Sequence, residues 1–257
     1  MMERSFYHTK YSFQHLAHSV SRFGIHSPFL YQCATKALKM KMQPQDRKII
    51  QALRQDIRQT PNFNSLDLGT KQNRKLNGKD LLKMGINSRY GQKLYGLCRH
   101  FQPHHILELG TSSGLSTAYL AIACPKARII TVEGCPGKAN LAKQFFQKHH
   151  LNNITVVNAE ATDYIKQLKS DDYKTDLVFI DADHSYCGTL NFYDLLKNIT
   201  HPDSVLVFDD IYWSPGMKKA WKSIKQDKSV SVSLATLRFG LIFFKKNIAR
   251  QHFNLRM

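Results

Sequence analysis

The chain has 257 residues, 42% of them hydrophobic, which suits one large globular domain or one domain with a smaller cap. No apolar run approaches the roughly 18 residues needed to span a bilayer, and the polar N-terminal segment lacks the apolar centre of a secretory signal. The net charge of +18 favours anionic partners such as RNA, nucleotides or acidic lipid surfaces, although a lysine-rich host proteome would explain it too.

The first 80 residues are predicted to form a helical cap followed by a basic loop. Ser27 precedes a proline, which is the pattern of an N-cap and the first position of a helix. Residues 60–80 are polar and contain both glycine and proline, so we expect a long loop there. Histidines in this region have irregular spacings that favour surface or packing roles over metal binding: His8, His15, His18 and His26.

From residue 105 onwards, short apolar strands alternate with helices, which indicates a parallel sheet covered on both faces. Residues 229–237 and 240–246 then lie back to back across a short turn, as in an antiparallel hairpin. We therefore expect a cap at 1–80 and a second domain at 81–257. The predicted parallel strands are 105–109, 128–132, 155–158, 177–181 and 205–208.

The segment from residue 106 to 121, ILELGTSSGLSTAYLA, predicts a strand, a glycine-bearing turn and a helix. Such a turn allows close approach of backbone to a ligand, and the helix start offers unpaired N–H groups. Its glycine spacing fits neither the dinucleotide fingerprint nor the phosphate-binding P-loop. The pattern E-x-G-x-x-x-G resembles motif I of class I S-adenosylmethionine-dependent methyltransferases. That resemblance implies S-adenosylmethionine binding by Glu108, Gly110, Thr111, Ser112 and Gly114.

Three further residues are candidate cofactor contacts. Glu133 ends the second strand, 19 residues after Gly114, where an acid accepts the ribose hydroxyls in dinucleotide folds; the alternative is a solvated loop acid. Glu160 follows the third strand, where it would contact the adenine amino group or simply lie on the surface. Ser116 begins the motif I helix, where it would bind the cofactor carboxylate or cap the helix.

Acidic residues also follow the fourth and fifth strands, in DLVFIDADHSY and SVLVFDDIYW. In a doubly wound sheet these strands are neighbours, so Asp181, Asp209 and Asp210 would converge at one edge. Close like charges need neutralisation, and oxygen ligands suit a hard divalent cation such as Mg²⁺. The alternative is that these acids cap the following helices, which is the role we expect of Asp183.

FIDADHSY and VFDDIYWSPG resemble the catechol and caffeoyl-coenzyme A type of metal-dependent O-methyltransferase, over about residues 81–246. The family carries D-x-x-K after the fourth strand and D-N after the fifth. The resemblance implies that Asp181, Asp209 and Asp210 bind the metal, and that His184 replaces the lysine base. Asp210 in place of asparagine is a second departure. D-x-D-H-S-Y also resembles natural-product and sugar-tailoring methyltransferases, and RFGIHSPF resembles a cap seen on some bacterial methyltransferases.

The implied fold is a doubly wound, Rossmann-like α/β fold. We expect a mostly parallel seven-stranded sheet with a C-terminal antiparallel hairpin and an N-terminal helical cap. The expected activity is metal-assisted methylation of a hydroxyl on a small molecule, with His184 and Asp181 as catalytic residues. Metal coordination would lower the hydroxyl pKa and His184 would accept its proton, unless this histidine is structural. Tyr212 and Trp213 would line an aromatic acceptor pocket or pack under the cap.

Two other functions remain open from the sequence. One is methylation of a hydroxyl on a modified tRNA nucleoside, with RNA attracted by the positive charge. The other is a non-catalytic module that binds the cofactor or nucleic acid, which would not need three strand-end acids together. Five scattered cysteines indicate reduced thiols, so we expect a cytoplasmic protein, and the sequence leaves a homodimer open.

Overall fold

The computed structural model describes residue 11, residues 15–67 and residues 72–256. His8 and residues 68–71 of the predicted loop lie outside this range. Packing divides the chain into two compact units, one of residues 35–164 and one of residues 1–34 with 165–257. The predicted boundary at residue 80 and the capping role of residues 1–80 stay predictions.

Eight strands form a mostly parallel main sheet and two more form a separate hairpin. This confirms the Rossmann-like α/β class, although we predicted seven strands. The strands are β1 Phe63–Asp67, β2 Gln72–Leu76, β3 His105–Leu109, β4 Arg128–Glu133, β5 Ile154–Asn158, β6 Thr175–Ile180, β7 Thr200–Phe208, β8 Val232–Ala235, β9 Gly240–Phe243 and β10 Gln251–Asn254.

Helices precede and connect these strands. They are α1 Pro28–Gln32, α2 Pro44–Arg58, α3 Gly78–Met84, α4 Ser88–Phe101, α5 Leu115–Ala123, α6 Pro136–Lys148, α7 Ala161–Ser170, α8 Tyr186–Leu196 and α9 Pro215–Gln226. The predicted start of α1 is confirmed, because the Ser27 hydroxyl accepts a hydrogen bond from the Leu30 N–H at 3.5 Å. Among the described residues, no helix is both long and apolar enough to cross a membrane.

Residues 60–80 were predicted to be a loop, and this prediction is wrong. β1 and β2 pair antiparallel there, and α3 starts directly afterwards. Ser65 on β1 is 2% exposed, and its hydroxyl lies 3.4 Å from the Cys135 thiol. Tertiary contacts of this kind stabilise the hairpin, whose polar sequence does not show the apolar alternation typical of a half-buried strand.

In the unit of residues 35–164, β3, β4 and β5 pair in parallel in that order. The apolar side chains of β3 are fully buried. All nine residues of α5, the helix that follows β3 in the chain, are buried as well. Continuous burial explains why the apolar run of β3 predicted its bounds, whereas β4 and β5 are less buried and were predicted to within one residue.

In the other unit the strand order is β10-β8-β9-β7-β6. β6 and β7 are parallel, β9 is antiparallel to both of its neighbours, and β10 adds to β8 in parallel. We predicted a C-terminal antiparallel hairpin, and β8 and β9 pair antiparallel there, within the main sheet, where all four residues of each are buried. The small hairpin that is separate from the main sheet is the N-terminal pair β1–β2, which we did not predict.

The two ends of the described chain meet in this unit. Val20 forms a parallel bridge with Leu255: its N–H donates to the Asn254 carbonyl at 2.9 Å, and its carbonyl accepts from the Arg256 N–H at 3.0 Å. His15 is buried beside them, with Nε2 3.1 Å from the Leu255 carbonyl. This histidine therefore has the packing role that its irregular spacing predicted.

Candidate active site

The turn between β3 and α5 depends on two glycines in the left-handed region, Gly110 at φ 96° and Gly114 at φ 75°. A Cβ at position 114 would lie 2.7 Å from Cζ of Phe146, so α6 leaves no room for a side chain there. Ser112 between them also has a positive φ of 48°. The sequence pattern thus encodes a strained, closely packed turn.

The start of α5 is chemically suited to a ligand. Gly114 is its N-cap and supplies no side-chain hydrogen bond, so the first N–H groups of the helix have no side-chain cap. The hydroxyls of Ser112 and Ser113 are buried and have no hydrogen-bond partner among the described residues. Ser116 follows in the first turn and is 4% exposed. These groups fit the carboxylate of S-adenosylmethionine.

Glu108, which was predicted to contact the cofactor, is held by hydrogen bonds within the protein. It is fully buried, and its Oε2 accepts hydrogen bonds from the hydroxyls of Thr131, at 2.6 Å, and Thr117. The Thr131 hydroxyl also lies 2.6 Å from that of Thr111. This carboxylate therefore ties together β3, β4 and α5, and its contact with a cofactor stays a prediction.

Glu133 is held by the backbone at the end of β4. Its Oε2 accepts from the Ser112 N–H at 2.8 Å, and its Oε1 accepts from the Cys135 N–H at 2.9 Å. Each carboxylate oxygen keeps a further lone pair, so binding of ribose hydroxyls stays a prediction. Glu160 is exposed, and its backbone carbonyl accepts from Tyr164 at the start of α7.

In the second unit, Asp181, His184 and Asp210 come together after β6 and β7. Their ligand atoms all lie within 4.8 Å of one another. Nε2 of His184 is 3.4 Å from Oδ1 of Asp181 and 3.8 Å from Oδ2 of Asp210. Asp183 instead accepts from the Ser185 N–H at 3.2 Å, which is the local structural role that we expected of it.

Asp209 differs from its predicted role. Arg238, in the turn between β8 and β9, donates from Nε to Oδ1 at 2.5 Å and from Nη2 to Oδ2 at 2.6 Å. The Asp209 side chain is inaccessible to solvent, and its Oδ1 also accepts from the Asp210 N–H at 2.7 Å. Both oxygens are thus engaged by the protein, which leaves this carboxylate poorly placed to bind a metal.

Burial and mutual repulsion shape the ionisation of this cluster. Burial, and then the charge of Asp181, raise the pKa of Asp209 to about 8 against the opposing hydrogen bonds from Arg238. Burial lowers the pKa of His184, but the hydrogen bond and charge of Asp181 outweigh it and raise this pKa overall. The two carboxylates therefore stabilise positive charge between them, which a bound cation would also supply.

The two neighbouring aromatic residues lie in different surroundings. The Trp213 ring is 6.0 Å from the His184 ring, measured between centroids, and is 36% exposed. The Tyr212 hydroxyl instead lies 3.4 Å from Nδ1 of His15. Only Trp213 thus borders the carboxylate cluster, and a single aromatic pocket made of both is not what the structure shows.

Part of the chain is similar in sequence to known methyltransferases. A family described as "Methyltransferase domain" matches residues 107–211. Catechol O-methyltransferase from Mycobacterium tuberculosis is 29% identical over 140 residues, 54% of this chain and 62% of the relative. Catechol O-methyltransferase from Bos taurus is 33% identical over 102 residues, 38% of each chain.

Residues 107–211 thus match a methyltransferase domain, and the relatives support its assignment to the class I S-adenosylmethionine-dependent methyltransferases.

Solved structures show the same fold for the methyltransferase domain. An O-methyltransferase from Bacillus cereus in complex with SAH has a TM-score of 0.59 at 18% identity and covers 84% of this chain and 96% of that one. The O-methyltransferase TomG from Streptomyces achromogenes, in complex with SAM, has a TM-score of 0.58 at 20% identity, over 82% and 94%. The chain spans less than two thirds of the length of the catechol O-methyltransferases that it matches.

Sequence reasoning missed one charged residue of this methyltransferase domain, Arg238. We placed it only in a hairpin turn, and a single arginine there carries no signal of the carboxylate that it binds 29 residues away. The orphaned hydroxyl of Ser113 was also missed. A serine next to the motif I glycines was the available signal, but only the structure shows that its oxygen is buried without a partner.

Proposed function

We propose that this protein is an S-adenosylmethionine-dependent O-methyltransferase that methylates a hydroxyl group of a small molecule with the help of a divalent cation. The observation that carries the proposal is the convergence of Asp181, His184 and Asp210 in a chain with this methyltransferase domain. The catechol O-methyltransferase relatives support a small hydroxylated acceptor over an RNA nucleoside.

S-adenosylmethionine supplies the electrophilic methyl group when it is bound. The start of α5 and the Ser112 and Ser113 hydroxyls would hold its carboxylate, and Glu133 its ribose. Glu133 also accepts the Ser112 N–H, so the same side chain would both position the turn and bind the ribose. Methyl transfer is an in-line displacement, and rigid positioning of this kind contributes much of its rate.

Asp181 and Asp210 offer carboxylate oxygens, the ligand type that fits Mg²⁺ or another divalent cation. The bound cation supplies Lewis acidity that lowers the pKa of an acceptor hydroxyl. Asp209 is the exception to the predicted ligand set, because Arg238 already binds both of its oxygens.

His184 faces both acids through the same nitrogen, Nε2. That nitrogen cannot hold a proton and bind a cation at once, so the base and ligand roles exclude each other. The proposal assigns to His184 the proton of the acceptor hydroxyl, with Asp181 and Asp210 as the protein's ligands. In His184→Gln, cation affinity should then stay near the wild-type value while turnover falls. A parallel loss of cation affinity would make His184 a ligand.

The test has two parts, because cofactor binding and metal dependence are separate claims. Calorimetric titration with S-adenosylhomocysteine tests the cofactor. Transfer of a labelled methyl group to a panel of catechols and other hydroxylated aromatics, with Mg²⁺ or with EDTA, tests the reaction. Asp181→Asn should abolish transfer, whereas Asp194→Asn, an exposed acid on α8, should leave it unchanged.

The outcomes separate the claims. An absence of S-adenosylhomocysteine binding under every condition would overturn the methyltransferase proposal. Cofactor binding together with turnover that EDTA does not reduce would reject only the metal.

A further inference from the structure

A cavity of about 340 Å³ lies in the unit of residues 1–34 and 165–257. One wall is a face of α9, where Lys218 and Trp221 are each followed four residues later by a lysine, Lys222 and Lys225. The other wall includes His15 and Tyr212. The volume suits a small ligand.

The walls combine positive charge with aromatic rings. The Lys218 ammonium lies 3.7 Å from the centroid of the Tyr11 ring, and that of Lys225 lies 5.9 Å from the Trp221 ring. Lys225 is half-buried, and this burial together with the charge of Lys222 lowers its pKa. No aspartate or glutamate is among the described residues that line the cavity. Clustered ammonium groups without a lining acid favour an anion.

A buried donor beside the cavity is an independent sign of a missing acceptor. Trp221 is 3% exposed, and its indole Nε1 has no hydrogen-bond partner among the described residues. An indole N–H only donates, as an ammonium group does. Buried polar groups in folded proteins are nearly always paired, and this indole N–H belongs to a residue that lines the cavity, so it is a donor that a ligand with acceptor oxygens would satisfy.

We propose that this cavity binds the phosphate group of a small molecule. Three lysines and one indole N–H match a group with two negative charges and several acceptor oxygens better than a carboxylate with one charge. The Tyr11, Tyr212 and Trp221 rings provide apolar surface for the organic part of the ligand. The inference does not depend on the proposed methyl transfer.

The indole N–H of Trp221 gives a direct test by ¹H–¹⁵N NMR. The protein has two tryptophans, so Trp213→Phe assigns the Trp221 resonance. Titration with inorganic phosphate and with phenyl phosphate at constant ionic strength should move this resonance along a saturable curve, with phenyl phosphate binding more tightly. Acetate at the same ionic strength should not. Absence of a shift with both phosphate probes would overturn the proposal.

Matched variants locate the site. The double variant Lys222→Gln/Lys225→Gln should weaken phenyl phosphate binding at least tenfold. Lys219→Gln/Lys228→Gln removes the same charge from exposed lysines that do not line the cavity, and should bind as wild type does. Equal weakening in both pairs would mean general charge attraction and would reject the site. Equal unfolding midpoints in urea would show that both pairs keep the fold.

A short single-stranded RNA in the same titration distinguishes the two sources of a phosphate group. Binding of phenyl phosphate at lower concentration than RNA, per phosphate, supports a small molecule. Tighter binding of RNA that the Lys222→Gln/Lys225→Gln variant abolishes would overturn that assignment in favour of a nucleic acid.

Discussion

Arg238 donates two hydrogen bonds to the carboxylate of Asp209, from Nε to Oδ1 at 2.5 Å and from Nη2 to Oδ2 at 2.6 Å. Asp209 directly follows β7, and Arg238 lies in the turn that brings β9 back beside that strand. The guanidinium thus supplies the positive charge that we had expected a cation to supply to this carboxylate. Asp181 and Asp210 border His184 instead, and Oδ1 of Asp210 also lies 3.2 Å from Nε of Arg238.

We expect Arg238→Met to lower the free energy of unfolding by about 3–5 kcal/mol at pH 8, because it leaves a buried carboxylate without its partner. The loss should shrink as the pH falls, since protonation neutralises Asp209. Urea unfolding measures both effects. Lys245→Met, which breaks the more exposed pair with Asp203, should cost about 0–1 kcal/mol. Similar losses in the two variants would contradict the importance of the buried pair.

Cation binding should distinguish the neighbouring acids. Asp210→Asn and Asp181→Asn are each expected to weaken Mn²⁺ binding at least tenfold, since each removes a charged ligand. Asp209→Asn should chiefly reduce stability, because its oxygens bind Arg238. Electron paramagnetic resonance of free Mn²⁺ gives the affinities. A folded Asp209→Asn protein that no longer binds Mn²⁺, beside an Asp210→Asn protein that does, would restore the ligand set that the sequence predicted.

Gly114→Ala should destabilise the protein by about 2–4 kcal/mol. About 1–2 kcal/mol comes from the left-handed backbone, and the remainder from a Cβ 2.7 Å from the Phe146 ring. The second variant Gly114→Ala/Phe146→Leu should recover part of the loss. Gly216→Ala is the matched control, since its Cβ would meet no atom closer than 3.4 Å. Urea unfolding distinguishes them, and equal stability of the two alanine variants would refute the argument.

The contribution of Asp227 to the free energy of unfolding is expected to depend on pH. Burial raises its pKa, but hydrogen bonds from the Ser229 hydroxyl and N–H, and then Lys197, lower it to about 2. A folded-state pKa below the ordinary value contributes stability that is complete above about pH 4 and is lost as the pH falls towards 2. Asp227→Asn should therefore cost about 1–2 kcal/mol at pH 7, allowing for partial solvent exposure, and much less near pH 2.

The control for this prediction is Asp172→Asn, whose side chain is 96% exposed and 3.9 Å from Lys174. It should not change stability measurably at either pH. If the loss in free energy of unfolding caused by Asp227→Asn were the same at pH 7 and pH 3, ionised Asp227 would not contribute to stability.

Buried elements were the most predictable part of the fold. β3 was predicted with its observed bounds, because a strand covered on both faces requires an unbroken apolar run, here from Ile106 to Leu109 apart from one acid. The motif I glycines were equally predictable, since a positive φ and contact with Phe146 leave no other residue type unstrained.

Elements that depend on distant partners were not predictable. β1 and β2 are polar, and packing against Cys135 rather than their own pattern stabilises them. β10 is four residues long and pairs with a strand nearly twenty residues earlier. At the candidate site, the positions of Asp181 and Asp210 after two neighbouring strands correctly predicted that these acids lie close together. The pairing of Asp209 with an arginine in a later turn has no local sequence pattern and was not predictable.

Pairing of Val20 with Leu255 constrains the order in which the protein can form during synthesis. Residues 35–164 are contiguous and can begin to fold as soon as they leave the ribosome. The segment around Val20 and His15 is translated before that unit but completes its packing after it, because its partners are residues 254–256. Contacts of such long sequence separation slow folding, so this segment remains exposed to proteases and chaperones until those residues have been made.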